Sequence, residues 1–308
     1  MNHDRKQLIR SILIAVAVGV LGFFVVTILM QPFFSGRWTV PQSFGIGKIR
    51  IQFYGLLLGL GALAGYWLAI RRKVLYKISD ELADSVIFVS LVFGFIGARL
   101  YHVASEYPYY VQHPAQIVAV WNGGLSIFGA AIGGVLGIYI CYRFWFKAAP
   151  TSSTTTFLQL LDWLTPSIIV GQIIGRFGNF VNYELYGYPT SLPWKMFVPV
   201  KFRLPPYELV HFFHPLFLYE AAGSVIILIL ILKLKPRAGS LFLMWLLLYN
   251  VMRFFLEFLR VGSITYGGIR VNAIVALVIA LLAAILWYKQ IYRQQAAYEH
   301  ELPNPLNS

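Results

Sequence analysis

Acidic side chains are scarce in this chain: 12 Asp and Glu stand among 308 residues, against 25 Lys and Arg. Charge of either sign makes up only 12% of the sequence, roughly half the share that a soluble domain carries. A chain so poor in charge cannot clothe a water-facing surface, which excludes an ordinary soluble domain. Cysteine is nearly absent as well. The single Cys141 rules out an intrachain disulfide, and its apolar run makes it a packing residue. No HExxH pair, Cys/His ligand cluster, GxSxG elbow or P-loop occurs. We therefore expect no metal and no cofactor. Strict polar–apolar alternation is also missing, which argues against a transmembrane β-barrel.

What the chain has instead is apolar length. Hydrophobic residues make up 58% of it, and eight stretches reach the roughly 20 residues that cross a bilayer. They lie at 8–30, 50–70, 83–104, 118–146, 157–178, 214–233, 240–259 and 271–290. The fold class expected is an all-α integral membrane protein of about eight transmembrane helices. The first stretch follows Arg5, Lys6 and Arg10 and reads as a retained anchor. Basic clusters at Arg5–Arg10, Arg71–Lys77, Arg143–Lys147, Lys233–Arg237 and Lys289–Arg293 fall on alternate connections. The positive-inside rule then puts that side, with both termini, in the cytoplasm. The net charge of +13 is thus accounted for by topology and by attraction to membrane lipid, so no nucleic-acid partner is expected. Segments 31–49, 105–117, 179–213 and 260–270 fall on the outer side. The third is too short for a domain, so a small outer-face arm is expected at about 183–213. The divisions are 1–40 (extra N-terminal anchor), 41–293 (transmembrane domain) and 294–308 (polar cytoplasmic tail).

Ionisable groups inside a membrane are costly and call for a reason. Here they gather near the outer ends of several spans: Tyr54, Arg99, Arg176, Asn179, Asn182, Glu184, His214, Tyr219, Glu220, Arg253, Glu257 and Arg260. Spacing puts Arg253 and Glu257 on one helix face. Salt-bridged pairs between helices would explain any one of them. Together, at least three arginines against two or three carboxylates leave positive charge for an anionic ligand, and the guanidinium fork suits phosphate. The run GRFGNFVNYELYG, Gly175–Gly187, adds three glycines that allow close backbone approach. Glycine pairs Gly55/Gly59 and Gly61/Gly65 and the series Gly129/Gly133/Gly137 read instead as helix-packing seams. His102, His113, His211 and His214 lie toward the outer side, where a lone histidine is more often an anchor than an acid or base.

These residues carry a resemblance. GRFGNFVNYELYG resembles the G-R-x-G-N-F-x-N-x-E-x-x-G signature of bacterial prolipoprotein diacylglyceryl transferases. FYGLLLGLG (53–61), GARLYH, WNGGLSIFGAAIGG, HPLFLYEA (214–221) and YNVMRFFLEFLR (249–260) are similar to that family's other blocks, in order, over residues 45–290. The resemblance implies a seven-helix core, here with one added N-terminal span, and an enzyme of the cytoplasmic (inner) membrane active at its outer leaflet. It implies transfer of diacylglyceryl from phosphatidylglycerol to the lipobox cysteine of a prolipoprotein, giving a thioether and glycerol phosphate. Its functional positions carry over to Arg176, Asn179, Glu184, Gly187, Tyr54, Arg99, Tyr249, Arg253, Glu257 and Arg260. From their chemistry we expect Arg176, Arg253 and Glu184 to be catalytic, and Arg176, Asn179, Asn182, Gly187, Tyr54, Arg99, Tyr249, Glu257 and Arg260 to bind phosphatidylglycerol. Two positions depart from the family. Phe128 stands where members carry a histidine taken as the thiol base, and Asn122 replaces a common acidic residue. His102, one turn from Arg99, is the substitute base expected here. A lipid transporter or scramblase would use the same arginines, but no internal repeat favours one. A catalytically silent lipoprotein-binding member is the third reading, raised by Phe128.

Overall fold

The computed structural model of the chain describes residues 2–47, 49–120, 123–146, 156–233 and 238–301. Trp121, Asn122, Lys147, residues 151–155 of the Ser/Thr-rich linker, Lys235, Arg237 and residues 302–308 lie outside them. Eight long helices run through the described residues: α1 (Asn2–Leu29), α2 (Phe53–Arg72), α3 (Asp80–Ser105), α4 (Ile127–Cys141), α5 (Phe157–Val181), α6 (Leu216–Lys233), α7 (Ser240–Glu257) and α8 (Val271–Glu301). Each is long and apolar enough to span a bilayer, α4 together with the π-helical turn Tyr142–Phe146 that continues it, as the hydropathy led us to expect. Large apolar side chains point outward on them, among them Leu21, Leu63, Phe88, Ile132 and Phe255. Such exposure suits a hydrocarbon solvent and would be a liability in water.

Local chemistry sets the helix ends. Ser79 caps α3 by accepting from the Leu82 N–H at 3.3 Å, and Asp80 and Glu81 occupy its first turn, where the helix dipole favours negative charge. The fourth span begins later than its hydropathy suggests. Residues 118–120 and 123–126 are not part of α4, and Gly123 and Gly124 adopt φ of +89° and +77°, a left-handed backbone that stops a helix. The Ser126 N–H donates to Ala98 O at 3.0 Å, tying this loop back onto α3. At the other end of the chain α8 continues to Glu301, so residues 294–301 of the expected tail are helical.

The chain divides into two compact units, residues 1–65 with 165–308, and residues 66–164. In the second, α3 and α4 pack backbone to backbone. A Cβ on Gly129 or Gly133 would stand 2.1 Å from the carbonyl oxygens of Gly97 and Phe93, and one on Gly137 would stand 2.9 Å from Val89 O. This is the expected small-residue seam. In the first unit Gly61 and Gly65 make a similar seam against Gly171 and Ser167 of α5. Gly55 and Gly59 do not, since a Cβ on either would meet nothing within 4 Å.

Also in the first unit, α1 lies against α6, with Gly19 facing Ile226 and Ala222 and the Phe23 ring 5.8 Å from that of Tyr219. The connection between α5 and α6 forms the arm. It carries two short antiparallel strands, β1 (Met196–Phe197) and β2 (Phe212–Phe213). Met196, Val198 and Phe213 bury themselves with Phe34, Phe180, Phe217 and Leu218. The arm is thus seated on the start of α6, the end of α5 and the short helix Gln31–Phe34 that follows α1. Burying several aromatic side chains contributes about 1.5–3 kcal/mol each, enough to hold a segment with so little regular structure.

Candidate active site

The signature run spans the end of α5 and the turn beyond it. Gly178 is required by a neighbour, because a Cβ there would stand 2.5 Å from the Tyr54 ring. The helix then gives way to a turn in which Tyr183 and Leu185, on either side of Glu184, adopt φ of +53° and +56°. Left-handed backbone at bulky residues costs about 1–3 kcal/mol and survives only where surroundings impose it. Here they do. The Tyr183 hydroxyl accepts from the Val40 N–H at 2.6 Å, the Tyr186 hydroxyl accepts from the Leu204 N–H at 2.7 Å and donates to Phe202 O at 2.9 Å, and the Glu184 N–H donates to Asn179 O at 3.0 Å. The strain fixes the direction of Glu184.

From this turn a connected network of arginines and carboxylates runs through the first unit. Arg176 donates to the Tyr249 hydroxyl at 2.8 Å and to Asn179 Oδ1 at 3.2 Å. Asn179 passes the link on, donating to Glu184 Oε1 at 2.8 Å. Arg176 Nε lies 3.0 Å from Glu220 Oε2 without closing a hydrogen bond. Glu220, 2% exposed, also pairs with Arg253 and accepts from Tyr249 at 3.4 Å. Arg253 in turn donates to Glu257 Oε2 at 2.7 Å. Glu257, wholly buried, accepts further from Ser263 at 2.6 Å and Asn272 at 3.1 Å, and Arg260 Nη1 lies 3.6 Å away. Arg270 joins the end of the chain of contacts, donating to Arg260 O at 3.2 Å, to the Glu257 carbonyl and to the Tyr188 hydroxyl at 2.7 Å.

Four arginines therefore meet three carboxylates, Glu184, Glu220 and Glu257, and the network keeps a net positive charge. Glu220 and Glu257 are buried, while the arginines are half-buried and Glu184 is exposed. Keeping two carboxylates out of solvent is costly unless they are paired, and here the arginines supply that pairing while presenting their remaining surface outward. Glu257 has its acceptor capacity filled and serves to hold Arg253 and Arg260. Arg176 is held by side chains alone: Glu220, Tyr249 and Asn179.

The other expected residues are placed as follows. Gly187 pairs with Arg260 across an isolated antiparallel bridge, and a Cβ on it would stand 2.7 Å from His214 Cβ and 2.9 Å from Leu259 O, so it permits that close approach. Asn182 lines a cavity in the arm. His214 Nδ1 lies 2.9 Å from the Tyr219 hydroxyl, which accepts from Trp194, and burial lowers its pKa below the ordinary histidine value. Arg99, in the second unit, is 7% exposed and directs its N–H groups at main-chain carbonyls: Nε at Ile117, Nη1 at Gly123 and Gly124, Nη2 at Gln116 and Ala119. All five guanidinium donors are engaged. His102 lies against Gly124, where a Cβ would stand 2.6 Å from its Nε2, and Phe128 stacks near Tyr101 at 6.0 Å.

Sequence reasoning assigned no site role to Glu220, which joins Arg176 to Arg253. Its signal was a carboxylate inside an apolar span in the block HPLFLYEA. Ser263, Arg270 and Asn272 gave no comparable signal, since they sit in or beside a short polar connection. Among the described residues no group of three or more His, Cys, Asp or Glu could hold a metal ion.

Fold and site together define a polytopic helical membrane protein with a net-positive arginine–carboxylate network, its arginines half-buried, at the ends of its spans. The model of the family described as prolipoprotein diacylglyceryl transferase matches residues 41–289. A curated phosphatidylglycerol–prolipoprotein diacylglyceryl transferase of Fervidobacterium nodosum is 37% identical over 293 residues, covering 93% of this chain and 96% of that protein. Relatives of the same name from Nostoc sp. (41% identical, 80% of this chain and 88% of that one) and Thermotoga maritima (35%, 90% and 94%) agree. The chain belongs to the prolipoprotein diacylglyceryl transferase family, and α1 precedes the matched region.

Proposed function

We propose that this chain transfers the diacylglyceryl group of phosphatidylglycerol to the lipobox cysteine thiol of prolipoproteins in the bacterial cytoplasmic membrane. The cysteine sulfur attacks the glycerol carbon that carries the phosphate. A C–S thioether bond forms and the C–O bond to phosphate breaks. The bonding pair leaves with the phosphate oxygen as glycerol phosphate, and the thiol proton passes to a base. Negative charge on the leaving phosphate must be held as the bond breaks, and fixed guanidinium donors do that without reorganising. The observation that carries this reading is Arg176, half-buried, ion-paired with Glu220 through Nε and braced by Tyr249 and Asn179.

In this reading Arg176 and Arg253 clamp the phosphate, while Glu184, Asn179, Asn182, Tyr54 and Tyr249 orient the headgroup. Glu220, Glu257 and Arg260 hold the arginines, and Gly187 lets the arm close on α6. We assign Arg99 to holding the loop 116–124 rather than to phosphate. His102 takes the thiol proton. A thiol with an ordinary pKa of about 8.5 needs little help beside positive charge. The alternation of basic connections supports a site toward the outer leaflet with both termini cytoplasmic.

The test is to incubate the purified chain with phosphatidylglycerol and a peptide bearing a lipobox cysteine. The expected result is thioether-linked diacylglyceryl peptide by mass spectrometry. Lipid binding without that product would sink the enzyme reading in favour of a lipid transporter. For the base, His102→Ala is expected to flatten the pH–rate profile near neutrality, and an unchanged profile removes His102 from the role.

A further inference from the structure

The arm holds a cavity of about 370 Å³ beside the arginine–carboxylate network, lined by Asn182, Glu184, Tyr186, Lys201, Arg203 and Arg260 among others. Its charge is one-sided, with three cations facing a single carboxylate. That carboxylate is already engaged, since Glu184 accepts from Asn179. Arg203 and Lys201 are held by carbonyls and a ring, and Arg260 by an ion pair of 3.6 Å. Arg203 is braced by two carbonyls, Nε on Val198 and Nη1 on Glu208, each at 2.8 Å. Lys201 rests its ammonium 4.6 Å from the centre of the Phe202 ring. Arg260 has Nη1 near Glu257, while its Nε is buried and has no hydrogen-bond partner among the described residues. A buried donor left unmade is costly, so it marks a place where a ligand oxygen belongs.

These features set the occupant's chemistry. Excess positive charge with fork-shaped donors calls for a phosphate. Asn182 and Glu184 offer acceptors for hydroxyl groups. The volume suits a small polar molecule and excludes a pair of acyl chains. A phosphomonoester of a small polyol meets all three conditions. The cavity also communicates with the network by two routes, through Arg260 to Glu257 and through Glu184 and Asn179 to Arg176.

We propose that this cavity is a binding site for the water-soluble leaving group, glycerol phosphate, receiving it from the arginine network after transfer. The inference rests on the activity proposed above. It implies that the product competes for its own site and inhibits turnover, and that the arm takes part in product release.

The test is direct binding of glycerol phosphate, inorganic phosphate and glycerol to the purified full chain in neutral detergent, by calorimetry. Glycerol phosphate is expected to bind more tightly than inorganic phosphate and glycerol by about tenfold or more, the worth of one or two added charge-assisted hydrogen bonds. Lys201→Gln, an exposed position, and Arg203→Gln are each expected to weaken it by about tenfold. Arg176→Ala is expected to leave it within about threefold, because Arg176 does not line the cavity. The proposal is overturned if wild type does not bind, if neither arm variant changes binding, or if Arg176→Ala abolishes it. Equal binding of inorganic phosphate would show adventitious anion binding only and overturn it as well. A wild-type chain that binds glycerol phosphate but forms no thioether would defeat the activity reading while the cavity assignment stands.

Discussion

Two arginine environments in this molecule differ in kind. Arg99, in the second unit, has its five donors on main-chain carbonyls of residues 116–124. Arg176, half-buried in the first, faces a carboxylate, a phenol and an amide. Backbone carbonyls cannot move away without unfolding the loop, so Arg99 is a fixed strut. Side-chain partners can turn toward or away from a guanidinium without unfolding a loop, which is what the proposed phosphate clamp requires of Arg176. Sequence alone makes the two look alike, as intramembrane arginines near span ends. What separates them in the structure is the nature of the acceptors.

The strongest way to break that contrast is to strip the network of its shared carboxylate. Glu220→Ala leaves Arg176 and Arg253 without their common partner, and removing one member of a buried pair costs about 3–5 kcal/mol. Thermal unfolding in detergent should shift down by several degrees, with transfer falling too. Glu220→Gln, which keeps an acceptor, should do less. Arg176→Ala comes next. It is expected to cut transfer by about 10²–10³-fold, the worth of a donor aimed at developing charge, with membrane insertion intact and thioether formation as the readout. Gly178→Ala drives a methyl into the Tyr54 ring. Overpacking of this sort costs about 1–3 kcal/mol, and the double variant Gly178→Ala with Tyr54→Ala should lose less than the sum of the two singles.

Arg99→Lys sharpens the other half of the contrast. A lysine cannot reach five carbonyls, so the loop 113–126 should become more sensitive to protease while transfer changes little at temperatures where the chain stays folded. The smallest effect expected is a pH dependence from His214. Its pKa is lowered by burial, so the native chain binds fewer protons than the unfolded one. The associated stability is full above the ordinary histidine value of about 6.5 and declines as pH falls below it. His214→Gln should flatten the dependence of the unfolding temperature on pH in that acid range.

How much of this could be read without a structure follows from what hydropathy and motifs encode. Eight spans were legible because bilayer thickness demands apolar length, and that length is printed in the sequence. The seams at Gly129, Gly133 and Gly137 were legible from spacing, while Gly55 and Gly59 show the same spacing and pack against nothing. The loop 118–126 reads as part of a span because Ile117, Val118, Ala119 and Val120 are apolar; its carbonyls serve Arg99, and no side-chain pattern records that. Glu220 was visible as an odd carboxylate in α6, but its role depends on α5 and α7 bringing two arginines to it. Ser263, Arg270 and Asn272 hold Glu257 and its neighbours from a connection whose polarity looks ordinary. Motif matching finds the residues that touch chemistry more readily than those that position them.

Phosphatidylglycerol retention by Arg176→Ala and Arg99→Lys, compared side by side by native mass spectrometry of the purified full chain, tests the central contrast most directly. The expected result is lipid lost from Arg176→Ala and kept by Arg99→Lys. Lipid kept by the first and lost from the second would contradict it.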